Sequence, residues 1–222
     1  IVRSKEGLLT TVAWDLNGAL NYALEGGVFS AGSTVQWLRD EMGIIEQSAD
    51  IEELAQSVPD NGGVYLVPGF NGLGTPYWDP EARGSIHGLT RGSNRGHLAR
   101  AALESIAYQC DDVLRLMSAE SGKQITTIRS DGGGSGNNML MQFQADISGV
   151  LIERSLSIET TSLGAAYLAG LGIGFWDSQN QIERLWQSGG LFLPNMNLSR
   201  RDLLRHYWLK AVERSLGWAA RD

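Results

Sequence analysis

The chain has 222 residues, of which 42% are hydrophobic and 19% charged, and its formal net charge is −7. This composition excludes a disordered chain, and the negative charge argues against a surface that neutralises the phosphates of nucleic acid. The single cysteine, Cys110, excludes a disulfide framework and a cysteine-based zinc site. It also favours a reducing compartment, which we take to be the cytoplasm.

The first part of the chain predicts short elements separated by glycine-rich turns. Asn17-Gly18 favours positive φ angles and therefore predicts a tight hairpin turn between two strands. Apolar residues at helical spacing predict a helix over 30–42 and a shorter one over 51–57. Residues 63–68 are typical of a buried strand, whereas residues 69–84 are expected to form an ordered irregular loop.

The middle of the chain predicts strands that alternate with helices. A strand over 85–89 precedes a long helix over 96–119, and a strand over 125–131, a helix over 139–147 and a strand over 150–154 follow. The apolar stripe of the long helix consists of Leu103, Ile106, Cys110, Val113, Leu114 and Met117. This alternation predicts an α/β fold with a mixed sheet and helices packed on it.

The last part of the chain carries the longest uncharged run, residues 160–176. This run is too short and too rich in glycine to span a membrane, so a buried helix is expected there. Residues 191–198 are predicted to be a loop, and Ser199 with Asp202 predicts a capping box that starts a final helix. The chain starts at Ile1 without an initiator methionine, and we interpret it as a piece of a longer protein.

Several common kinds of site are missing from the sequence. It has no phosphate-binding loop with a lysine, no zinc-protease helix and no nucleophile elbow, and its three histidines lack the spacing of metal ligands. His97 is expected to be a polar residue at the start of the long helix. The acidic pairs Glu52-Glu53 and Asp111-Asp112 are expected to lie on solvated faces. We therefore predict no metal-binding residue.

The strongest local signal is the glycine cluster at 130–138, which follows a predicted strand and precedes a helix. Consecutive glycines let a backbone approach a ligand closely, and the following helix would present free N–H groups and its positive dipole end. The amide of Asn137 can reach a base or a ribose. The same pattern fits a tight turn in which an aspartate or serine caps the helix. The cluster by itself does not favour either interpretation.

A second signal is Gly32, which lies in a predicted helix one turn before Gln36. A glycine inside a helix costs about 1 kcal/mol relative to alanine, so another group is expected to approach closely there. That group is either a ligand or a second helix that packs through its small residues. The small residues in question are Gly164, Ala165, Ala169 and Gly172. The residues alone favour helix packing.

Several segments of the chain resemble the FGGY family of carbohydrate kinases. Residues 84–89 (GSIHGL), followed after seven residues by 97–104 (HLARAALE), are similar to the second signature of that family. Residues 72–80 (GLGTPYWDP) resemble the form found in its glycerol kinases, whereas xylulose kinases tend to carry a Gly-Glu-Arg-Thr-Pro form. Similarity extends from about residue 7 to residue 176, and the segments 31–40, 103–109 and 164–170 also carry it.

The resemblance implies a fold and a nucleotide site. Residues 1–222 would be a single C-terminal kinase domain of ribonuclease-H-like (actin-like ATPase) fold, with a mixed sheet that has helices on both faces. Residues 191–222 would be a loop and helix appended to it. Gly32, Gln36, Gly133 and Asn137 fall on positions that contact the adenine nucleotide in this family. ATP and Mg²⁺ are the implied cofactors.

The resemblance also implies the activity, which is transfer of the ATP γ-phosphoryl group to glycerol to give sn-glycerol 3-phosphate. The catalytic aspartate, the first phosphate loop and most glycerol contacts of the family match no segment of this chain. We therefore predict no catalytic residue here and expect the chain alone to be inactive. Full-length members are homodimers or homotetramers, and the family gives no reason to expect nucleic acid or membrane partners. The alternatives are a kinase of another polyol or sugar and a non-catalytic actin-like nucleotide-binding module.

Overall fold

The computed structural model describes residues 2–220, which form seven strands and seven α-helices. The strands are β1 (Leu9–Leu16), β2 (Ala19–Glu25), β3 (Tyr65–Val67), β4 (Ser85–His87), β5 (Thr127–Ser130), β6 (Leu151–Ser155) and β7 (Ser188–Phe192). The helices are α1 (Gly32–Asp40), α2 (Asp50–Gln56), α3 (Arg95–Ser121), α4 (Asn138–Ser148), α5 (Thr160–Gly172), α6 (Gln179–Glu183) and α7 (Leu198–Glu213). A 3₁₀ turn, Gly133–Gly136, connects β5 to α4.

The strands form three small sheets. β1 and β2 make an antiparallel hairpin whose turn has positive φ at Asn17 and Gly18, as predicted. β3 pairs with β4 in antiparallel orientation, and β6 pairs with β5 in parallel and with β7 in antiparallel orientation. The α/β class and the mixed pairing are therefore confirmed. The described residues nevertheless form three separate sheets where one was expected.

The predicted elements up to β6 are observed with boundaries that shift by one to three residues at most ends. The C-terminal region differs more. The loop predicted for 191–198 is wrong at Leu191 and Phe192, which pair with β6 as part of β7. The cap of α7 is Asn197, whose Oδ1 accepts from the N–H of Arg200 at 2.9 Å, so Ser199 lies inside the helix. Among residues 2–220, no helix is both long and apolar enough to cross a bilayer.

The helix expected over residues 160–176 is observed as α5, which ends at Gly172, but the expectation that it is buried is wrong. In α5 only Gly170 is buried, and Ile173, which follows α5, is 83% exposed. The small residues of α5 do not pack on α1 either. A Cβ atom added at Gly164, Gly172 or Gly32 would meet no heavy atom within 4 Å. Close helix packing therefore does not explain why Gly32 is a glycine.

The core forms around α3, which packs against α2, α4 and β3. α7 contributes Trp208, which is 1% exposed and stacks on Tyr108 of α3 with ring centroids 5.1 Å apart. The C-terminal helix therefore belongs to the same hydrophobic core as the long helix. His97 lies in the first turn of α3, where it forms a capping box with Asn94, in agreement with its predicted place.

Asp111 and Asp112 do not lie on a solvated face, contrary to expectation, since they are 2% and 7% exposed. Asp111 accepts from Arg115 at 3.0 Å and contacts the guanidinium of Arg205. Asp112 accepts from the hydroxyl of Tyr77 and from the indole N–H of Trp208, both at 2.7 Å. Buried carboxylates of this kind persist because several donors surround them. This acidic cluster ties α7 and the loop of Tyr77 to α3.

Glu104 is a second buried carboxylate, 3% exposed, and it makes the stability of the chain depend on pH. Burial raises its pKa from 4.5 to about 7, although Arg100 and Asn61 donate to it at 2.9 and 3.0 Å. Between about pH 4.5 and 7, Glu104 is therefore largely protonated in the folded chain and largely ionised in the unfolded chain. The resulting stabilisation is complete below about pH 4.5 and is lost as pH rises through 7, by about 3 kcal/mol in total.

Glu104→Gln is expected to remove this pH dependence, because glutamine does not titrate. Urea denaturation of the 222-residue chain between pH 5 and 8 measures the effect, with Glu53→Gln on the exposed side of α2 as the control. The free energy of unfolding of the parent and of the control should fall more steeply with pH than that of Glu104→Gln. Parallel pH curves for the parent and Glu104→Gln would contradict the prediction.

Candidate functional site

A cavity of about 950 Å³ opens between the N-terminal half of the chain and the segment from β5 to α4. One wall consists of the segment that follows β2 together with α1 and α2, and the other wall consists of β5, the 3₁₀ turn and the start of α4. The floor is the apolar stripe of α3. Its volume lies in the range typical of small-molecule and cofactor sites, so we take it as the candidate functional site.

The first wall carries Gly32 and Gln36, one helical turn apart on the exposed face of α1. Gly32 is the first residue of α1 and lies outside the helix interior, so the predicted helix penalty does not apply. A Cβ at this position would project into open space. The preceding residue, Ala31, makes no side-chain cap. Its carbonyl accepts from the N–H of Thr34 at 3.0 Å, so the N–H groups of Gly32 and Ser33 are the ones left to other acceptors.

The other wall contains the 3₁₀ turn, in which Gly133 leaves the cavity unobstructed. A Cβ built at Gly133 would meet no atom within 4 Å. Gly132, just before the turn, has a φ of 78°, which favours glycine. Its carbonyl accepts from both the N–H and the hydroxyl of Ser135, at 3.0 and 2.7 Å. These hydrogen bonds give the turn a defined conformation, in which it presents backbone atoms to the cavity at Gly133.

The N-terminus of α4 is already capped, which corrects the expectation that it offers free N–H groups. Oδ1 of Asn137 accepts from the N–H of Leu140 at 2.8 Å, and Oε1 of Glu52 accepts from the N–H of Met139 at 3.1 Å. Glu52 therefore also joins α2 to α4 and lies in the wall, where a solvated face was expected. A carboxylate at this helix end disfavours an anion there, so the α4 end of the cavity suits an uncharged group.

The floor is apolar and carries no reactive nucleophile. The residues of α3 that line it are the six of the predicted stripe, from Leu103 to Met117. Burial, with a further contribution from the charge of Asp112, raises the pKa of Cys110 to about 11. The Cys110 thiol is therefore neutral near pH 7, and a thiolate mechanism has no support at this position.

The acidic groups of the cavity are already engaged. Glu52 is held by Met139, and Asp131 accepts from the hydroxyl of Thr160. Among residues 2–220, no three His, Cys, Asp or Glu side chains are grouped so that they could hold a metal ion. The cavity can therefore bind and orient a ligand, but the groups that line it do not provide a free general base.

The four residues singled out from the sequence, Gly32, Gln36, Gly133 and Asn137, all line this one cavity. Asn137 uses its side-chain oxygen for the cap, so its NH₂ group is the part left for a ligand. Glu52 was missed as a wall residue, because its partner Met139 is 87 residues away in the sequence. Nothing in the sequence around Glu52 indicates that its carboxylate accepts a hydrogen bond from the start of α4.

Comparison with known proteins gives a consistent result over most of the chain. Residues 1–173 match the model of the FGGY family of carbohydrate kinases, C-terminal domain. Glycerol kinase 2 of Thermotoga maritima is 57% identical over 218 residues, and the glycerol kinase of Petrotoga mobilis is 56% identical over 217. Each alignment covers 98% of this chain and 44% of the relative. The chain thus spans less than half the length of the curated relatives that it matches.

The fold has a similar counterpart among solved structures. The crystal structure of Plasmodium falciparum glycerol kinase with ADP superposes with a TM-score of 0.88 at 38% sequence identity. The match covers 97% of this chain and 43% of that one. A xylulose kinase from Lactobacillus acidophilus superposes with a TM-score of 0.78 at 23% identity, which is a likeness of fold alone.

Proposed function

Because the chain belongs to the FGGY family of carbohydrate kinases, we propose that it is the nucleotide-binding half of an ATP-dependent glycerol kinase. The observation that carries this proposal is the joint placement of Gly32 and Gln36 with Gly133 and Asn137 around one cavity. These two pairs come from segments about a hundred residues apart in the sequence. Glycerol is proposed as the phosphoryl acceptor because the similar full-length proteins are glycerol kinases.

In this proposal the cavity binds the nucleoside end of ATP. The bare backbone at Gly133 accommodates the flat face of adenine or the ribose, and the NH₂ group of Asn137 donates to one of them. The capped end of α4, with Glu52 beside it, accepts an uncharged base more readily than a phosphate. The uncapped N-terminus of α1 at Gly32 suits the negatively charged end of the nucleotide.

The finer fold that we propose is a ribonuclease-H-like (actin-like) domain made by residues 1–222, with α7 contributing to its core. β1 and β5 each pair on one side only among the described residues. The hairpin also leaves Val12 53% and Trp14 44% exposed, and an isolated two-stranded hairpin is at best marginally stable in water. A strand from the rest of the protein, lying over the apolar floor, would join the hairpin and the β5–β6–β7 sheet into one mixed sheet.

The chemistry that we propose is in-line transfer of the γ-phosphoryl group of ATP to a glycerol hydroxyl. Transfer of this kind depends on several positioned groups that hold the phosphates and accept the proton of the acceptor. The carboxylates of this cavity are engaged in structural hydrogen bonds, and no residue of this chain is assigned to Mg²⁺. We therefore expect the 222-residue chain alone to bind adenine nucleotide weakly and to transfer no phosphoryl group.

The experiment compares the full-length protein that contains this chain with the 222-residue chain, using ADP release and formation of sn-glycerol 3-phosphate. The full-length protein should show glycerol-dependent turnover, whereas the chain alone should not exceed a control without protein. Turnover by the chain alone would contradict the proposal that phosphoryl transfer needs groups outside these 222 residues. A panel with xylulose and gluconate tests the alternative that another polyol or sugar is the substrate. Faster turnover of xylulose or gluconate than of glycerol would contradict the assignment of glycerol as the acceptor.

The non-catalytic alternative is distinguished by titration of the full-length protein with ATP in the presence and absence of glycerol. A kinase should bind the two ligands with coupled affinities, since both occupy one cleft during catalysis. Independent binding without turnover would favour a nucleotide-binding module. Light scattering of the same sample tests the homodimer or homotetramer that the family implies.

A further inference from the structure

The glycine turn that forms one wall of the cavity has few side chains of its own to hold its shape. Three of the four residues in Gly133–Gly136 are glycine, and Gly132 precedes them. Ordering each glycine costs more conformational entropy than ordering any other residue. A turn that has to present bare backbone to a ligand therefore needs support from outside the turn.

Arg154 of β6 supplies this support through hydrogen bonds to carbonyl oxygens of the turn. Nη1 donates to the carbonyl oxygens of Ser135 and Gly136, at 3.2 and 3.4 Å, and to Oδ1 of Asn138 at 2.9 Å. Nη2 donates to the carbonyl oxygen of Gly189 at 3.1 Å. The guanidinium thus joins the end of the turn, the start of α4 and β7.

The position of Arg154 follows from the sheet register. Arg154 pairs with Ser130, the last residue of β5, so its side chain starts beside the strand that leads into the turn. Its guanidinium also lies 5.4 Å from the ring centre of Phe192 in β7. Arg154 is not among the residues that line the cavity, so the role argued for it is indirect. A planar guanidinium carries five donors in a fixed fork, a geometry that lysine does not reproduce.

We propose that Arg154 is a positioning residue for nucleotide binding, because it fixes the peptide planes at Ser135 and Gly136 and thereby the shape of the wall that faces adenosine. This inference rests on the proposed function of the cavity. A carbonyl that is held in place also fixes the orientation of the N–H group on the other side of the same peptide plane. Loss of the guanidinium should therefore loosen the turn and weaken ATP binding, while the catalytic groups stay in place.

The test uses the full-length protein with Arg154→Met, Arg154→Lys and, as a matched control, Arg201→Met. Arg201 is a half-buried arginine that also donates to a backbone carbonyl, that of Asp146 at 2.8 Å, but lies outside the cavity. Arg154→Met should raise KM for ATP five- to twentyfold and leave kcat and KM for glycerol within twofold. Arg154→Lys should recover part of the loss, and Arg201→Met should leave all three constants within twofold.

A folded Arg154→Met protein with KM for ATP within twofold of the parent would overturn the positioning role. If this variant does not fold, Asn138→Ala decides, since it removes one acceptor of the guanidinium and leaves the core intact. It should raise KM for ATP two- to threefold, and an unchanged value would overturn the proposal. Calorimetric titration with ATP separates the two claims. A parent that binds no ATP overturns both, whereas equal affinity in parent and Arg154→Met overturns only the role of Arg154.

Discussion

Gly133→Val is expected to raise KM for ATP at least tenfold in the full-length protein, with the fold retained. The space around Gly133 is open, because a Cβ there would meet no atom within 4 Å, and its φ is not in the left-handed region. Valine therefore fits the backbone but projects two methyl groups into the space that we assign to adenosine. A tenfold loss corresponds to about 1.4 kcal/mol of binding free energy, a modest figure for a steric clash.

Steady-state kinetics at varied ATP measure this effect, and the matched control is Gly172→Val. Gly172 is an exposed glycine at the end of α5 where an added Cβ also meets nothing within 4 Å, and it does not line the cavity. The control should keep KM for ATP within twofold of the parent. Both variants should keep the melting temperature of the parent. An unchanged KM for ATP in a folded Gly133→Val protein would mean that the turn does not contact the nucleotide.

Asp112→Ala is expected to destabilise the chain by about 3–5 kcal/mol, because it leaves buried donors without their acceptor. The donors are the hydroxyl of Tyr77 and the indole N–H of Trp208, each 2.7 Å from Oδ2 of Asp112. Nη2 of Arg205, 3.8 Å from Oδ1, loses a partner as well. Because Asp112 joins α3 to α7 and to the Tyr77 loop, the loss should propagate to the floor of the cavity.

Chemical denaturation of the 222-residue chain at pH 7 measures this loss, with Glu213→Ala as the control. Glu213 is an exposed carboxylate at the end of α7, and its replacement should change the free energy of unfolding by less than about 0.5 kcal/mol. A loss below about 1 kcal/mol for Asp112→Ala would mean that the acidic cluster is not a stabilising link between the helices.

The parts of the molecule that sequence reasoning predicted correctly have local causes. The hairpin follows from the positive φ angles that Asn17-Gly18 favours, and α3 follows from an apolar stripe at helical spacing. The glycine cluster predicted a turn between a strand and a helix, which is what β5, the 3₁₀ turn and α4 form. Each of these signals depends on neighbours within a few residues, so it is visible in a single sequence.

The parts that sequence reasoning missed depend on partners far along the chain. Uncharged composition predicted burial of α5, but burial depends on what packs against a helix, and α5 is largely exposed among the described residues. Charge predicted solvated faces for Glu52 and Asp112, yet the first caps α4 and the second accepts two buried donors. Composition does not reveal which distant donor will surround a carboxylate.

The sequence alone determined that the chain is an α/β protein with a glycine turn, and its motifs indicated the kinase family to which it belongs. The tertiary structure brought Gly32 and Gly133, which the family resemblance assigned to one nucleotide, to the same cavity. It alone decided that Glu52 occupies the N-terminus of α4 and that Arg154 holds the turn. The physical reason is the sequence separation of the residues that interact. Backbone conformation is set by neighbouring residues, whereas a binding site is set by which distant segments the fold brings into hydrogen-bonding distance.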